Sequence, residues 1–307
     1  MDSLDEVTDR LQTLRDLVRF GATTFNNHEL FFGHGTDNAI DEAWALAAHA
    51  LHLSPGDAAD YMDARLTSPE ITAIYDLYRE RVETRKPAAY LTREAWFAGL
   101  PFYVDERVLV PRSPIAELIA AGFAPWIDAG SVGHVLDLCC GSGCIGIAAA
   151  HALPGAQVDL VDIDSGALEV ARINVERHGL GARVDVVKSD LFAGLSGRTY
   201  DLILCNPPYV SAEEYAGLPT EYGHEPRIGL LSGEEGMDHP LAILAGAAQH
   251  LAPQGVLVLE VGASQPALEA ALPRLEAAWV TFEHGGEGVA VIERDALLEL
   301  FPGAVAS

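Results

Sequence analysis

From residue 133 onward, short apolar runs alternate with helix-like segments, and this alternation leaves few folds open. GHVLDLCC, AQVDLVDI, RVDVVKSD, TYDLILCN and GVLVLEVG read as strands. CIGIAAAHAL, SGALEVARINVERHG, HPLAILAGAAQHL and SQPALEAALPRL read as helices. Strands alternating with helices build a mostly parallel, doubly wound sheet. WVTFEH and GVAVIER flank GGEG so closely that they must pair antiparallel at the end of the sheet. The expected class is α/β. Ligands of such sheets bind outside the C-terminal ends of the strands, so residues at those ends are the candidate site.

The first strand runs into DLCCGSGCIG, where Gly141, Gly143 and Gly146 fit G-x-G-x-x-G and Asp162 follows 21 residues after Gly141. Glycines there let a ligand approach the backbone closely, but the pattern alone does not say which ligand, and a nicotinamide dinucleotide is permitted. The acids shift the balance. Asp137, directly before the loop, would repel a pyrophosphate, yet it suits an ordered loop or a cationic amino-acid moiety. Asp162, at the end of the second strand, can accept both ribose hydroxyls of an adenosine. Asp190, after the third strand, can accept from an adenine amino group. Three acids at three successive strand ends outline an uncharged nucleoside with a cationic tail, which describes S-adenosylmethionine. Asp164 is the expected cap of the following helix.

The fourth strand ends in LCNPPYV. Asn206 is expected at the mouth of the same pocket, and Pro207 and Pro208 stop the strand. A planar amide or amino nitrogen has a delocalised lone pair and is a poor nucleophile. Acceptors placed for a pyramidal nitrogen favour the attacking geometry. The Asn206 side-chain oxygen is one such acceptor and the rigidly held Pro207 carbonyl is a second. Tyr209 can pack on the planar group and exclude water. Methylation itself acidifies the nitrogen, so no base is required before attack. The clamp suits glutamine side-chain amides and exocyclic amino groups of adenine or cytosine alike.

Residues 1 to about 86 read as helices: LDEVTDRLQTLRDLVRF, DEAWALAAHALHL behind Asp37 or Asn38 as cap, and TSPEITAIYDLYRERVETRK with Pro69 in its first turn. AAYLTREAWFAG and LPFYVDERVLVP read as extended segments paired around Gly99, and PRSPIAELIAAGFAPWI restarts a helix. YGHEPRIGL, with Glu225 and Pro226, reads either as a lid or target-binding loop or as a plain connection. His224 and His239 are expected to be solvated or capping.

The formal charge is -26, with 45 acidic residues against 19 Lys and Arg. A duplex-binding protein needs a basic face, so no direct nucleic-acid binding is expected. A basic protein partner suits the balance, although the acidity also serves solubility. No apolar run is long enough to span a membrane, and the opening MDSLDEVTDR is unlike a secretory signal. Cys139, Cys140, Cys144 and Cys205 form no paired CxxC array. They are expected to be reduced thiols of a cytoplasmic protein, with no metal site.

DLCCGSGCIGIA, LVDID, KSDLF and NPPYV resemble the class I methyltransferases that modify glutamine in translation proteins, and most of all the ribosomal-protein glutamine N5-methyltransferases of the PrmB type. The resemblance extends to FGHGTDNAIDEAW, WFAGLPFYVDERVLVPRSPIAEL and LPTEYGHEPRIGLLSGEEGMD, hence to essentially the whole chain. The sister family, which modifies release factors, typically carries PRPDTE where this chain has PRSPIAE. The resemblance implies a helical substrate-recognition domain over 1–86, a β-hairpin linker over 87–111 and a seven-stranded class I methyltransferase domain over 112–307. It implies that Asn206, Pro207, Pro208 and Tyr209 bind the glutamine amide. It places Asp137, Leu138, Cys139, Gly141, Gly143, Asp162, Ile163, Asp190, Leu191, Asn206 and Arg112 around S-adenosylmethionine and its product S-adenosylhomocysteine. The general class pattern has glycine where this chain has Cys139. The implied acceptor is a basic protein of the large ribosomal subunit, the third protein in the known case. Release factors, an adenine of nucleic acid, and a noncatalytic role in ribosome assembly are the alternatives.

Overall fold

A computed structural model of the chain describes residues 3–302. The chain divides into two compact units, Met1–Ala95 with Pro219–His224, and Trp96–Leu218 with Glu225–Ser307.

The first unit is helical: α1 (Leu4–Arg10), α2 (Leu14–Asn27), α3 (Ala39–Ala50), α4 (Pro55–Asp60), α5 (Ser68–Thr84) and α6 (Ala88–Thr92). The single helix expected over residues 4–20 is broken. Thr13 and Asp16 form a capping box, with Asp16 N–H donating to Thr13 Oγ1 at 3.2 Å and Thr13 N–H to Asp16 Oδ2 at 3.1 Å. Thr13 also bridges to Arg65, so its backbone is extended where a continuous helix would need it coiled. Asn38 is the cap of α3, accepting from the N–H groups of Ile40 and Asp41. Residues 88–92 are helical rather than extended, because the chain reverses only at Arg93, in the left-handed region at φ 55°.

Leu17, Phe25, Ala43, Leu46, Ile74 and Tyr78 fill this unit's core, and the Tyr78 hydroxyl donates to Ala43 O at 2.8 Å. Arg81 is wholly buried among carboxylates. Its Nε donates to Glu42 Oε1 at 2.6 Å and its Nη2 to Phe31 O at 3.0 Å, with Nη1 3.5 Å from Glu221 Oε1. Glu221, from the Pro219–His224 segment, also meets Arg85 Nε at 3.0 Å and accepts from Phe31 N–H at 3.0 Å. Buried charges persist only when paired in this way. His224 caps α5, with Nε2 2.9 Å from Thr84 O.

A two-stranded hairpin, β1 (Glu94–Phe97) and β2 (Leu100–Tyr103), turns at Ala98 and Gly99, both at positive φ. Then follow α7 (Ile115–Ala120), β3 (His134–Leu138), α8 (Cys144–Ala152), β4 (Gln157–Asp162), α9 (Ser165–Arg177), β5 (Val184–Lys188) and β6 (Tyr200–Cys205). The rest is α10 (Ala212–Ala216), α11 (Asp238–His250), β7 (Leu251–Glu260), α12 (Gln265–Ala271), β8 (Ala278–Trp279), β9 (Val289–Glu293) and α13 (Arg294–Leu300).

The seven strands lie in the order β5-β4-β3-β6-β7-β9-β8, parallel except that β9 runs antiparallel to both neighbours. Side chains alternate between two cores. Val135, Leu160, Leu202 and Leu204 enter one, beside Ile145 and Ile147 of α8. Leu136, Leu138, Val161, Ile203 and Cys205 enter the other, beside Ile243 and Leu244 of α11. Period-two alternation therefore sends Asp137 to the α8 side of the sheet.

Candidate active site

The strand register brings the motif residues together. Leu138 lies opposite both Val161 of β4 and Cys205 of β6. The glycine loop, Asp162 and Asn206 thus leave three adjacent strand ends at one level, where the sheet order reverses direction.

The glycine loop is wound tightly. Cys139, Gly141 and Gly143 all have positive φ, at 61°, 54° and 77°. Cys139 therefore holds a conformation that L side chains disfavour, which is the physical reason for a glycine in the general class pattern. A Cβ on Gly141 would meet nothing within 4 Å, so the loop presents open backbone there. Gly146, in the first turn of α8, allows the closest approach. A Cβ there would clash with Leu160 and stand 2.8 Å from Asp137 Cβ. Across that gap Gly146 N–H donates to Asp137 Oδ2 at 2.7 Å. Asp137 Oδ1 is buried and has no hydrogen-bond partner among the described residues. Burial pushes the Asp137 carboxyl up to about 7, the Gly146 N–H opposing and the charge of Asp162 adding to the rise.

Asp162 accepts from Gly141 N–H at Oδ2 and from Asp164 N–H at Oδ1, each at 2.9 Å. It ties the glycine loop to β4, and each oxygen keeps acceptor capacity. Burial raises its carboxyl too, against those hydrogen bonds. Asp164 caps α9 through Ala167 N–H at 2.8 Å. Ile163 stands 47% exposed beside Asp162. Beyond β5, Ser189 N–H donates to Asp162 O at 3.0 Å, Asp190 is exposed and Leu191 has φ 44°.

After β6, Pro207 and Pro208 are buried while Asn206 and Tyr209 are half-buried. Among the described residues no hydrogen bond engages the Asn206 side chain. Ser264 Oγ donates to Tyr209 O at 2.9 Å. The Tyr209 ring lies over Gly262, where a Cβ would come within 2.9 Å of it. Val210 then pairs in parallel with Leu231, drawing the returning loop alongside.

A family match spans this region: the Methyltransferase small domain family covers residues 122–218. The ribosomal protein uL3 glutamine methyltransferase of Xanthomonas campestris pv. campestris is 50% identical over 285 residues, covering 93% of this chain and 92% of that protein. The chain belongs to the ribosomal protein uL3 glutamine methyltransferase family. The Neisseria gonorrhoeae protein of the same name is 48% identical and covers 96% of this chain and 98% of its own length. The hMettl16 catalytic domain, solved in complex with MAT2A 3'UTR hairpin 1, shares the fold with a TM-score of 0.50 at 18% identity, covering 73% of this chain and 78% of that one.

Within this uL3 glutamine methyltransferase family member, Arg112, expected near the cofactor, is paired with Glu225. Its Nη1 and Nη2 donate to Glu225 Oε1 and Oε2, each at 2.6 Å. Glu225 is buried and also accepts from Val110 N–H at 3.0 Å, so YGHEPRIGL is no plain surface connection. His239 Nδ1 lies 2.8 Å from Ser232 Oγ.

Two residues escaped the sequence reading. Glu260 ends β7, buried, and Ser113 Oγ donates to its Oε2 at 2.5 Å. The signal was present: LVLEVG carries one charge inside an apolar strand, and such a charge needs a partner. Burial pushes the Glu260 carboxyl up to about 7, with the Ser113 and Tyr209 hydroxyls and the charge of Arg112 opposing. Among the described residues no cluster of His, Cys, Asp or Glu could hold a metal ion, and no helix is long and apolar enough to cross a membrane. All four cysteines are free thiols.

Proposed function

We propose that this chain transfers a methyl group from S-adenosylmethionine to the side-chain amide nitrogen of a glutamine in the large-subunit ribosomal protein uL3. The observation that carries the proposal is the register of Leu138 against Cys205, which sets Asn206-Pro207-Pro208-Tyr209 beside the acid-lined glycine loop. The site fits the cofactor. Open backbone at Gly141 accommodates a ligand, and the unpartnered Oδ1 of Asp137 suits a cationic ammonium. Asp162 retains acceptor capacity for ribose hydroxyls, Ile163 offers an exposed apolar face to the adenine, and Asp190 an acceptor to its amino group. When bound, the sulfonium supplies an electrophilic methyl.

The chain's own residues prepare the nucleophile. Asn206 Oδ1 and the Pro207 carbonyl accept the two amide hydrogens and favour a pyramidal nitrogen. The two prolines hold that carbonyl still, since their φ is fixed. Tyr209 covers the amide plane and keeps water away. The amide proton then leaves to solvent, because the methylated nitrogen is acidic. Arg112 serves this arrangement by holding Glu225, and the helical unit selects the protein acceptor. The charge of -26 supports a basic protein substrate over nucleic acid.

The test is incubation with methyl-labelled S-adenosylmethionine and two acceptors in parallel, free uL3 and a release factor, with fragment mass spectra locating the label. One added methyl on a glutamine of uL3 alone is expected. Label on the release factor alone overturns the acceptor, and label on neither overturns the activity.

A further inference from the structure

Glu260 is 5% exposed and sits at the end of a strand whose preceding residues, Val256 to Leu259, are buried and apolar. A carboxylate in such a place is stable only when it is hydrogen-bonded. Two hydroxyls, one on each carboxylate oxygen, meet this need. Ser113 Oγ donates to Oε2 at 2.5 Å, and Tyr209 Oη donates to Oε1 at 3.3 Å. Ser113 is itself fixed, because its Oγ accepts from Ile115 N–H at 3.2 Å, where α7 begins. A polar chain therefore runs from the start of α7, through the end of β7, to the phenol of Tyr209. The Ser264–Tyr209 hydrogen bond holds the backbone of the same residue, and the bare face of Gly262 receives its ring.

We propose that Glu260 is a positioning residue for methyl transfer: it fixes the Tyr209 ring through its hydroxyl, and Ser113 in turn fixes Glu260. The proposal rests on the function argued above, in which that ring lies against the acceptor amide. Glu260 touches neither substrate nor cofactor in this scheme. A half-buried ring with a free hydroxyl can rock about its side-chain torsions, whereas one tied to a buried carboxylate cannot. Misplacement of a catalytic surface by about 1 Å lowers rates by up to roughly a hundredfold.

The test compares Glu260→Met, Glu260→Gln, Ser113→Ala and Tyr209→Phe in the full-length protein with two readouts. Methionine is close in size and cannot accept both hydroxyls, and glutamine keeps one acceptor. In methyl transfer to uL3, Glu260→Met is expected to lower kcat about tenfold, less than the roughly hundredfold cost of removing a group that contacts the reacting atoms, with KM for the cofactor little changed. Glu260→Gln is expected to recover most of that loss. In the Tyr209→Phe background Glu260→Met is expected to add less than about twofold, because residues acting as a unit are non-additive. A full tenfold loss in that background overturns the proposal.

The second readout does not depend on activity. The chain has nine tyrosines, so carbon-13 labelling at tyrosine Cζ gives a readable spectrum, and Tyr209→Phe identifies the Tyr209 signal by its absence. Glu260→Met, and to a lesser extent Ser113→Ala, are expected to move that signal alone. A Tyr209 signal at its wild-type position in both variants overturns the proposal. Wild-type protein that transfers no methyl to uL3 would instead overturn the assigned function, and the spectra would still decide whether Glu260 holds the ring.

Discussion

Arg112 and Glu225 meet arm to arm, two nitrogens on two oxygens at 2.6 Å, and join chain positions 113 residues apart. The Glu225 side chain is fully buried and that of Arg112 is 27% exposed. Removing the cation strands a buried carboxylate. Arg112→Met is therefore expected to destabilise the protein by about 3 kcal/mol in urea unfolding, and Arg112→Met/Glu225→Met to recover most of it, since an apolar pair of similar volume replaces a buried ion pair at little net cost. A double variant as unstable as the single one would contradict this account.

In the proposed mechanism Asn206 offers its amide oxygen to the acceptor, and it adds little to the fold, for no hydrogen bond engages its side chain among the described residues. Asn206→Ala is expected to lower kcat on uL3 by about a hundredfold or more, the usual loss of one preorganised polar contact. Cofactor affinity by calorimetry should stay within about threefold. Equal losses in both would place Asn206 in the cofactor site instead.

Gly146 is required for its lack of a side chain. In Gly146→Ala the new methyl would meet Leu160 and stand 2.8 Å from Asp137 Cβ, pressing α8 away from β3. Overpacking of this kind destabilises by about 1–3 kcal/mol. It should also stretch the Gly146–Asp137 hydrogen bond, so cofactor affinity is expected to fall together with stability. Thermal unfolding with and without cofactor reads both effects.

Asp137 predicts a pH dependence of definite sign. Its carboxyl is raised from 3.8 to about 7 in the folded chain, so the native state holds a proton that the unfolded state has released. Between about pH 4 and pH 7 this group's contribution to stability falls as pH rises. Asp137→Asn mimics the protonated form at every pH. Its stability relative to wild type should therefore rise by on the order of 2–4 kcal/mol from pH 4 to pH 8, as a shift of about three pH units implies. The same variant should bind the cofactor more weakly. Unfolding curves that stay parallel across this range would rule the effect out.

The place of the candidate site was legible in the sequence because a parallel α/β sheet turns linear position into spatial position. Asp137, Asp162, Asp190 and Asn206 each lie at or just beyond the end of a strand, and strand ends of one direction share an edge. What escaped depended on long-range pairing. Arg112 meets Glu225 across 113 residues, and Ser113 meets Glu260 across 147. The break before α2 was written locally, as Thr13 three residues before Asp16, but helical periodicity ran through it and outweighed the cap. The helix at 88–92 was hidden for the opposite reason: five residues are too few for periodicity to register.

The salt-bridged core around Arg81 bears on how this protein can be inherited or rebuilt. One of its carboxylates, Glu221, arrives from a stretch of chain far beyond the helices it completes. A chimaera that swaps residues 1–95 between relatives would exchange Arg81, Arg85 and Glu42 without Glu221. A fragment ending at residue 95 would leave the buried Arg81 with Glu42 but without Glu221, and Arg85 without its Glu221 partner. The helical unit is thus one module in space and two in the gene, and a successful transplant has to carry both pieces.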